Sequence, residues 1–529
     1  MVDCMGESRK IPRTMSTQHP DNVTIPEWCQ EEIIDGDTEV YEAYYAYSVL
    51  GSQEVMWDSE GKDVDTRVVR KLLAEYGDYF KDHVIGKDVF LTYRIPNPRI
   101  EAAERKIVVE TLYNIPVAYD VASTFYKSDV APIFEVILPF TTASSDIICL
   151  HNYYRRAVVE SEELNLLGSL KVEDWVGSFR PRDIEVIPLV EDFGSILNID
   201  RIVAEYAEAI KPKYLRVFIA RSDPALNYGI FCAVILSKIA LSKLRSFERE
   251  YGVKVYPILG VGSMPFRGHL SPDNIDRFLH EYGGISTVTL QSALRYDHPL
   301  DRVKEVVNIL NSKLPNGEPA VVEPHDENGL LMILNNCRLH YESVVEDLAP
   351  LVNSLASYVP QRRARKLHIG LFGYSRNVAG VVLPRAIPFT AALYSLGIPP
   401  EIIGSKFLLD LKENEWNILQ KYYVNIKDDF RAVGGYVSWQ NMNMLMDTHQ
   451  RVAERVGMSA EKLENALTKL LDDIRAIEGN LGIKLGPRNM TQRKHENFAN
   501  NFLISYIECE DAEAKSYFLE AAKLRRFLG

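Results

Sequence analysis

Cysteine is scarce and scattered in this chain. Six residues in 529 (Cys4, Cys29, Cys149, Cys232, Cys337, Cys509) form no CxxC pair. That argues against a zinc knuckle or a disulfide framework, and leaves them as small core hydrophobes in a reducing compartment. Basic excess is missing as well: 60 Lys and Arg stand against 73 Asp and Glu, a net charge of −13. A general nucleic-acid footprint is therefore absent, and an anionic substrate would have to be drawn in by a local arginine cluster. No apolar run is long. The longest, around residues 130–140, is too short to span a bilayer and carries Glu135. The opening MVDCMGESRKIPRT is too polar for a signal peptide, so a soluble, cytoplasmic protein is expected. There is no solenoid repeat, no low-complexity linker, and no GxSxG, HExxH or GxGxxG motif.

What the chain does have is an alternation. Short β-branched or aromatic runs end in a polar residue and lead into longer helical stretches. The runs are Val89–Arg94, Ile133–Phe140, Ile184–Glu191, Tyr214–Ala220, Val253–Gly260, Thr287–Gln291 and Lys366–Phe372, with Ile11–Thr17 as a weaker first member. Near-continuous apolar runs suit parallel strands buried on both faces. Helical patterns such as Ile199–Ile210 and Ala233–Tyr251 lie between them. Eight units predict an α/β fold, a (β/α)8 TIM-type barrel with helical insertions over 1–390; an open doubly wound sheet is the alternative. Beyond 390 the strand signal stops, and residues 391–529 read as a helical region packed on the barrel or at a subunit contact. Its clearest helix is Ser459–Gly479, with Ser459 as N-cap, Gly479 as terminator, and a core-facing stripe of Leu463, Leu467, Leu470, Ile474 and Ile477.

Barrel enzymes carry their chemistry at the C-terminal ends of strands. Those positions hold His19, Arg94, Glu135, Glu191, Asp223, Arg267, Gln291 and Arg376. Acids and arginines at one mouth suit an anionic, phosphorylated substrate held by guanidinium forks and a divalent metal. Glu191 and Asp223, on successive strand ends, are the candidate metal pair, although each alone serves equally well as a helix cap or as a partner for Arg221. Glu135, in mid-run, reads as a weaker candidate or a buried ion-pair partner. His19 in STQHPDN sits in a turn that can face a cleft. Arg376 and Arg385 flank a glycine-containing loop, and GVGSMPFRGH offers Arg267 on a loop able to close over an anion. The basic run Arg362–Lys366 reads as a solvated helix end, and His325–Gly329 as a surface turn.

In this order the motifs resemble archaeal-type phosphoenolpyruvate carboxylase over essentially the whole chain. MSTQHPDN is similar to a T-A-H-P-T segment, LTYRIPN to L-D-x-R-Q, and IPLVEDFGSILNI to P-L-F-E-T-x-x-D-L. RVFIARSDPALNYG resembles G-Y-S-D-S, STVTLQ resembles R-V-T-x-Q-G-E, IGLFGYSRNV resembles I-G-S-R-P, and PRAIPF resembles L-R-A-I-P-W. The resemblance implies a homotetrameric enzyme that carboxylates phosphoenolpyruvate with bicarbonate, using Mg²⁺ (Mn²⁺ as the alternative) on Glu191 and Asp223. It implies catalytic roles for His19, Arg94, Arg267, Arg376 and Arg385, and substrate contacts from Arg94, Gln291, Arg376 and Arg385. It also implies an inhibitor site at Arg267 and Arg488. The sequence departs from the larger relatives' F-H-G-R-G-G-x-x-G-R-G-G loop, keeping only the second arginine, as Arg267.

Overall fold

Eight short strands, all parallel, close into one barrel. They are β1 (Thr14–Thr17), β2 (Glu54–Asp58), β3 (Phe90–Arg94), β4 (Glu135–Leu138), β5 (Glu185–Val190), β6 (Tyr214–Ala220), β7 (Lys254–Gly260) and β8 (Thr287–Leu290). The structure is a computed structural model describing residues 9–18, 22–366, 368, 376–378 and 380–529, with the side chains of 376–378 outside the description. Strands follow one another around the ring, and β1 closes it by pairing Met15 with Glu54 of β2 and Thr14 with Val288 of β8. The (β/α)8 expectation holds and the open sheet is excluded.

One strand was expected in the wrong place. The ring closes without Lys366–Phe372, most of which lies outside the described residues, and its remaining member is β2, EVMWD. A carboxylate at each end of that strand hides it from a hydrophobic-run reading. Glu54 can be buried in the barrel because Arg216 meets it there.

The helical periods transfer well. Ile199–Ile210 forms the helix expected of it, and Ala233–Tyr251 is the distal part of the longer helix Ser222–Tyr251. That helix breaks at Gly229, where φ is +85° and a Cβ would stand 3.0 Å from the Tyr341 ring, so a side chain there is strained. It has the length and apolarity of a membrane span but is mostly buried within the fold. The helix after Ser459 runs from Ala460 to Leu481, ending at Gly482 (φ +66°) rather than Gly479, and all five stripe residues are buried. His325–Gly329 is not a surface turn; it opens the helix Pro324–Leu355.

Cysteine departs from expectation. Cys232 and Cys337 pair as a disulfide, 105 residues apart in sequence, joining helix Ser222–Tyr251 to helix Pro324–Leu355. Cys149 and Cys509 are exposed, and Cys29 is buried as expected. The helices beyond residue 390 share one apolar core with the outer face of the barrel.

Inside the barrel the lowest layer is polar. Glu54 (β2), Glu135 (β4), Arg216 (β6) and Thr287 (β8) come from alternate strands, the usual composition of a barrel layer. Arg216 Nη1 donates to Glu54 (2.8 Å) and Glu135 (2.7 Å), and Nη2 to Glu54 (2.7 Å) and Thr287 (3.2 Å). Arg9 closes the layer from below, paired with Glu135 and packed on Phe90, Phe134 and Tyr214. Burial alone would raise the Glu135 pKa, but Arg9 and Arg216 bring it down to about 2. Glu135 is thus the buried ion-pair partner and not a group of the mouth. Above it lies an apolar layer of Met15, Met56, Ile137, Ile187, Leu189, Phe218, Ala220 and Ile258. Replacing Arg216 with Ala strands the buried Glu54 carboxylate, while Glu135 keeps Arg9, and costs about 3–5 kcal/mol. Chemical denaturation of Arg216→Ala measures this, and a loss below about 1 kcal/mol, the scale of an exposed pair, would refute the assignment.

Candidate active site

The C-terminal mouth is built from strand ends and the residues just beyond them. Asp58 ends β2 and Arg94 ends β3, while Glu191 and Gln291 directly follow β5 and β8. Asp223 lies three residues past β6, in the first turn of the helix Ser222–Tyr251. Arg94 is the centre of this group. Its guanidinium is paired with Glu60 and stands 3.6 Å from Asp58. Burial opposes its charge, yet Glu60, Asp58, Glu191 and Asp223 together hold its pKa above the ordinary arginine value. Both members of the candidate metal pair are therefore within electrostatic reach of Arg94.

The helix-cap role after the fifth strand belongs to a neighbour of Glu191. Asp192, not Glu191, caps the next helix, accepting from the backbone N–H of Gly194 (3.0 Å) and Ser195 (3.1 Å). Arg221 is buried and donates to the Tyr282 hydroxyl (3.0 Å) and the Phe266 carbonyl (3.2 Å). Glu191 is 4% exposed. Carboxylate oxygens gathered at one mouth are the ligand type a hard divalent metal ion takes.

His19 lies outside the described residues, but both sides of its segment are anchored at the mouth. Gln18 accepts from Asp58 N–H (2.7 Å), while Asp297 accepts from the N–H groups of Val23 (3.0 Å) and Thr24 (2.7 Å). Arg295 donates to the Thr17 carbonyl, and Arg362 to those of Asn22 (3.3 Å) and Val23 (3.1 Å). This corrects the reading of Arg362–Lys366 as a solvated helix end. Arg362, Arg363 and Lys366 are buried in an extended segment, and Arg363 pairs with Glu42 and Glu39. Buried acids on a neighbouring helix, invisible to a charge count, make that burial affordable.

Arg267 is 3% exposed. It donates to Ser222 Oγ (3.0 Å), to the Gly529 carbonyl (2.6 Å) and to the side chain of Gln291. Its turn needs Gly268, where φ is +116° and a Cβ would stand 2.6 Å from Val261. The helical region braces the same turn: Glu401 accepts from Phe266 N–H (2.9 Å), and Asp429 pairs with His269. Arg385 precedes the helix Ala386–Ser395 and acts electrostatically on Lys62. Arg376 begins the strand Arg376–Val378, which pairs with Val381–Leu383 in a two-stranded ribbon and does not follow a barrel strand; its side chain is outside the description. Arg488 is exposed, and its guanidinium donates to the Arg431 carbonyl.

The sequence reading missed the loop after β2. Asp58, Glu60 and Lys62 are all buried, and Lys62 pairs with Asp58. The one available signal was a turn glycine, Gly61, between charged residues directly after a strand.

A closed parallel barrel with acids and arginines gathered at its C-terminal mouth defines the class of (β/α)8-barrel enzymes. A family model described as phosphoenolpyruvate carboxylase matches residues 11–529. The chain is 47% identical to phosphoenolpyruvate carboxylase of Metallosphaera sedula over 521 residues, 98% of this chain and 100% of that one. It is 47% identical to that of Caldivirga maquilingensis over 523 residues (98% and 100%), and 49% identical to that of Methanothermobacter thermautotrophicus over 429 residues (81% and 87%). The chain belongs to the phosphoenolpyruvate carboxylase family.

Glu401 supplies a pH test of the brace. Burial raises its pKa to about 7 despite bonds from Phe266 N–H and the Tyr394 hydroxyl. A carboxyl raised in the folded state contributes stability that is full below its unfolded pKa of about 4.5 and is lost as pH rises through about 7. The melting temperature of Glu401→Gln should therefore fall less than that of the wild type between pH 5 and pH 8. Parallel curves would refute this.

Proposed function

We propose that this chain carboxylates phosphoenolpyruvate with bicarbonate, yielding oxaloacetate and phosphate. Membership of the family over residues 11–529 carries the reading, and the mouth has the charges the reaction needs. A bicarbonate oxygen attacks phosphorus and the bond to the enol oxygen breaks, leaving carboxyphosphate and the enolate of pyruvate. Arg94, Arg376 and Arg385 grip phosphate and carboxylate, where planar forks outperform lysine. Glu191 and Asp223 hold Mg²⁺, with Mn²⁺ as the alternative. When bound, the ion neutralises charge on the phosphoryl and enolate oxygens. His19 takes the carboxyphosphate proton, so that CO₂ and phosphate separate and the enolate carbon captures the CO₂. Gln291 and Arg267, bonded to each other, wall off water that would otherwise protonate the enolate.

The buried bonds of Arg267 to Gln291 and Gly529 favour this role over an inhibitor contact shared with the exposed Arg488. We read 1–390 as the catalytic unit and 391–529 as its helical brace, in a cytoplasmic homotetramer. The apolar arm around Leu167 (79% exposed) and Trp175 (72% exposed) offers one face for subunit contact.

Two measurements test the reading. Supplied with phosphoenolpyruvate and Mg²⁺, the enzyme should release phosphate and oxaloacetate in equal amounts only when bicarbonate is present; turnover indifferent to bicarbonate would point to a lyase or aldolase. Asp223→Asn should raise the Mg²⁺ concentration for half-maximal rate at least about tenfold, the size of losing one charge-assisted ligand. An unchanged Mg²⁺ dependence removes Asp223 from the metal site.

A further inference from the structure

The loop after β2 places three charges beside Arg94 that no motif accounts for. Lys62 is 3% exposed and its ammonium is paired with Asp58. Asp58, 1% exposed, also receives the Glu60 N–H (3.1 Å) and faces Arg94 at 3.6 Å. Glu60 holds the other end of the same guanidinium. Ser59 completes the clasp from the same loop, donating from its N–H (2.9 Å) and hydroxyl (3.0 Å) to the Arg94 carbonyl. Both the backbone and the side chain of Arg94 are thus gripped by residues 58–62.

A buried carboxylate flanked by one arginine already shared with a second carboxylate is short of positive charge. Lys62 supplies it. Burial pushes the Asp58 pKa up, but Lys62 first and Arg94 second turn the shift downward, so Asp58 stays ionised. Lys62 meets a cost in return, since burial and the neighbouring cations Arg94 and Arg385 lower its own pKa against the pull of Asp58. An ammonium held next to two arginines in the interior has a purpose other than solubility.

We propose that Lys62 is a positioning residue: its ammonium pins Asp58, so that Asp58 and Glu60 together clamp the Arg94 guanidinium at a fixed place in the mouth. The inference rests on the reading of Arg94 as a substrate-gripping residue. Without Lys62, the uncompensated Asp58 pulls Arg94 onto itself and away from an incoming anion. Lys62 acts through Asp58 and need not touch substrate.

The test compares wild type, Lys62→Ala, Lys62→Arg, Asp58→Ala and the double variant Lys62→Ala/Asp58→Ala. Phosphoenolpyruvate binding is measured by calorimetry with Mg²⁺ and no bicarbonate, alongside KM and kcat. Lys62→Ala should weaken phosphoenolpyruvate binding and raise KM at least tenfold, with a smaller change in kcat. Lys62→Arg should restore most of the affinity. The double variant should bind better than Lys62→Ala, because removing both partners leaves no stranded charge. A double variant worse than either single, or Lys62→Arg no better than Lys62→Ala, overturns the proposal in favour of simple packing. Should Lys62→Ala fail to fold, Lys62→Met, uncharged and closer to lysine in volume, takes its place in both comparisons. The two readings separate in the wild type: binding without bicarbonate-dependent turnover defeats the carboxylase reading and leaves the affinity series decisive. Absence of binding defeats both.

Discussion

The barrel depends on one arginine. Arg216 sits inside it with no exposed side-chain surface and joins β6 to β2, β4 and β8 through bonds to Glu54, Glu135 and Thr287. The donors on Nη1 and Nη2 lie in one plane and are directional, so they fix relative positions more tightly than an apolar layer of similar volume. Every strand that ends at the mouth rises from this floor or pairs with one that does. The placement of Asp58 and of the Glu191 segment at the upper rim follows from the register set below.

The rim repeats the same logic with the opposite emphasis. At the floor, cations and carboxylates satisfy each other and are closed off by Arg9 and its aromatic surround. At the mouth, Arg94 and Lys62 face Asp58 and Glu60, and Glu191 and Asp223 add their charge to the same field. In a low dielectric such fields are strong. Around it the helical region acts as scaffolding: Glu401, Asp429 and Gly529 each hold part of the Arg267 turn.

Seven of the eight barrel strands were legible because both faces of a parallel strand are buried, which writes an apolar run into the chain. The same rule hid β2, whose Glu54 and Asp58 are buried with partners distant in sequence. Arg94, Glu191 and Gln291 were legible as polar residues punctuating apolar runs. Lys62, Glu60 and the clasp they form were not, because nothing local separates a buried lysine from an exposed one. The basic run Arg362–Lys366 failed for that reason too: its burial is decided by Glu39 and Glu42, more than 300 positions away.

By itself, then, the sequence determined seven of the eight strands, the parallel strand–helix alternation and most of the residue types presented at the mouth. These rest on periodicity and strand-end position, both local properties of the chain. The tertiary structure alone decided which charges are buried, which pair with which, and where the register of β2 places the clasp on Arg94. It also decided that Cys232 meets Cys337 and that Glu135 belongs to the floor. The physical reason is shared: an ionisable or sulfur-bearing side chain takes its state from its surroundings, and those are assembled from segments far apart in sequence.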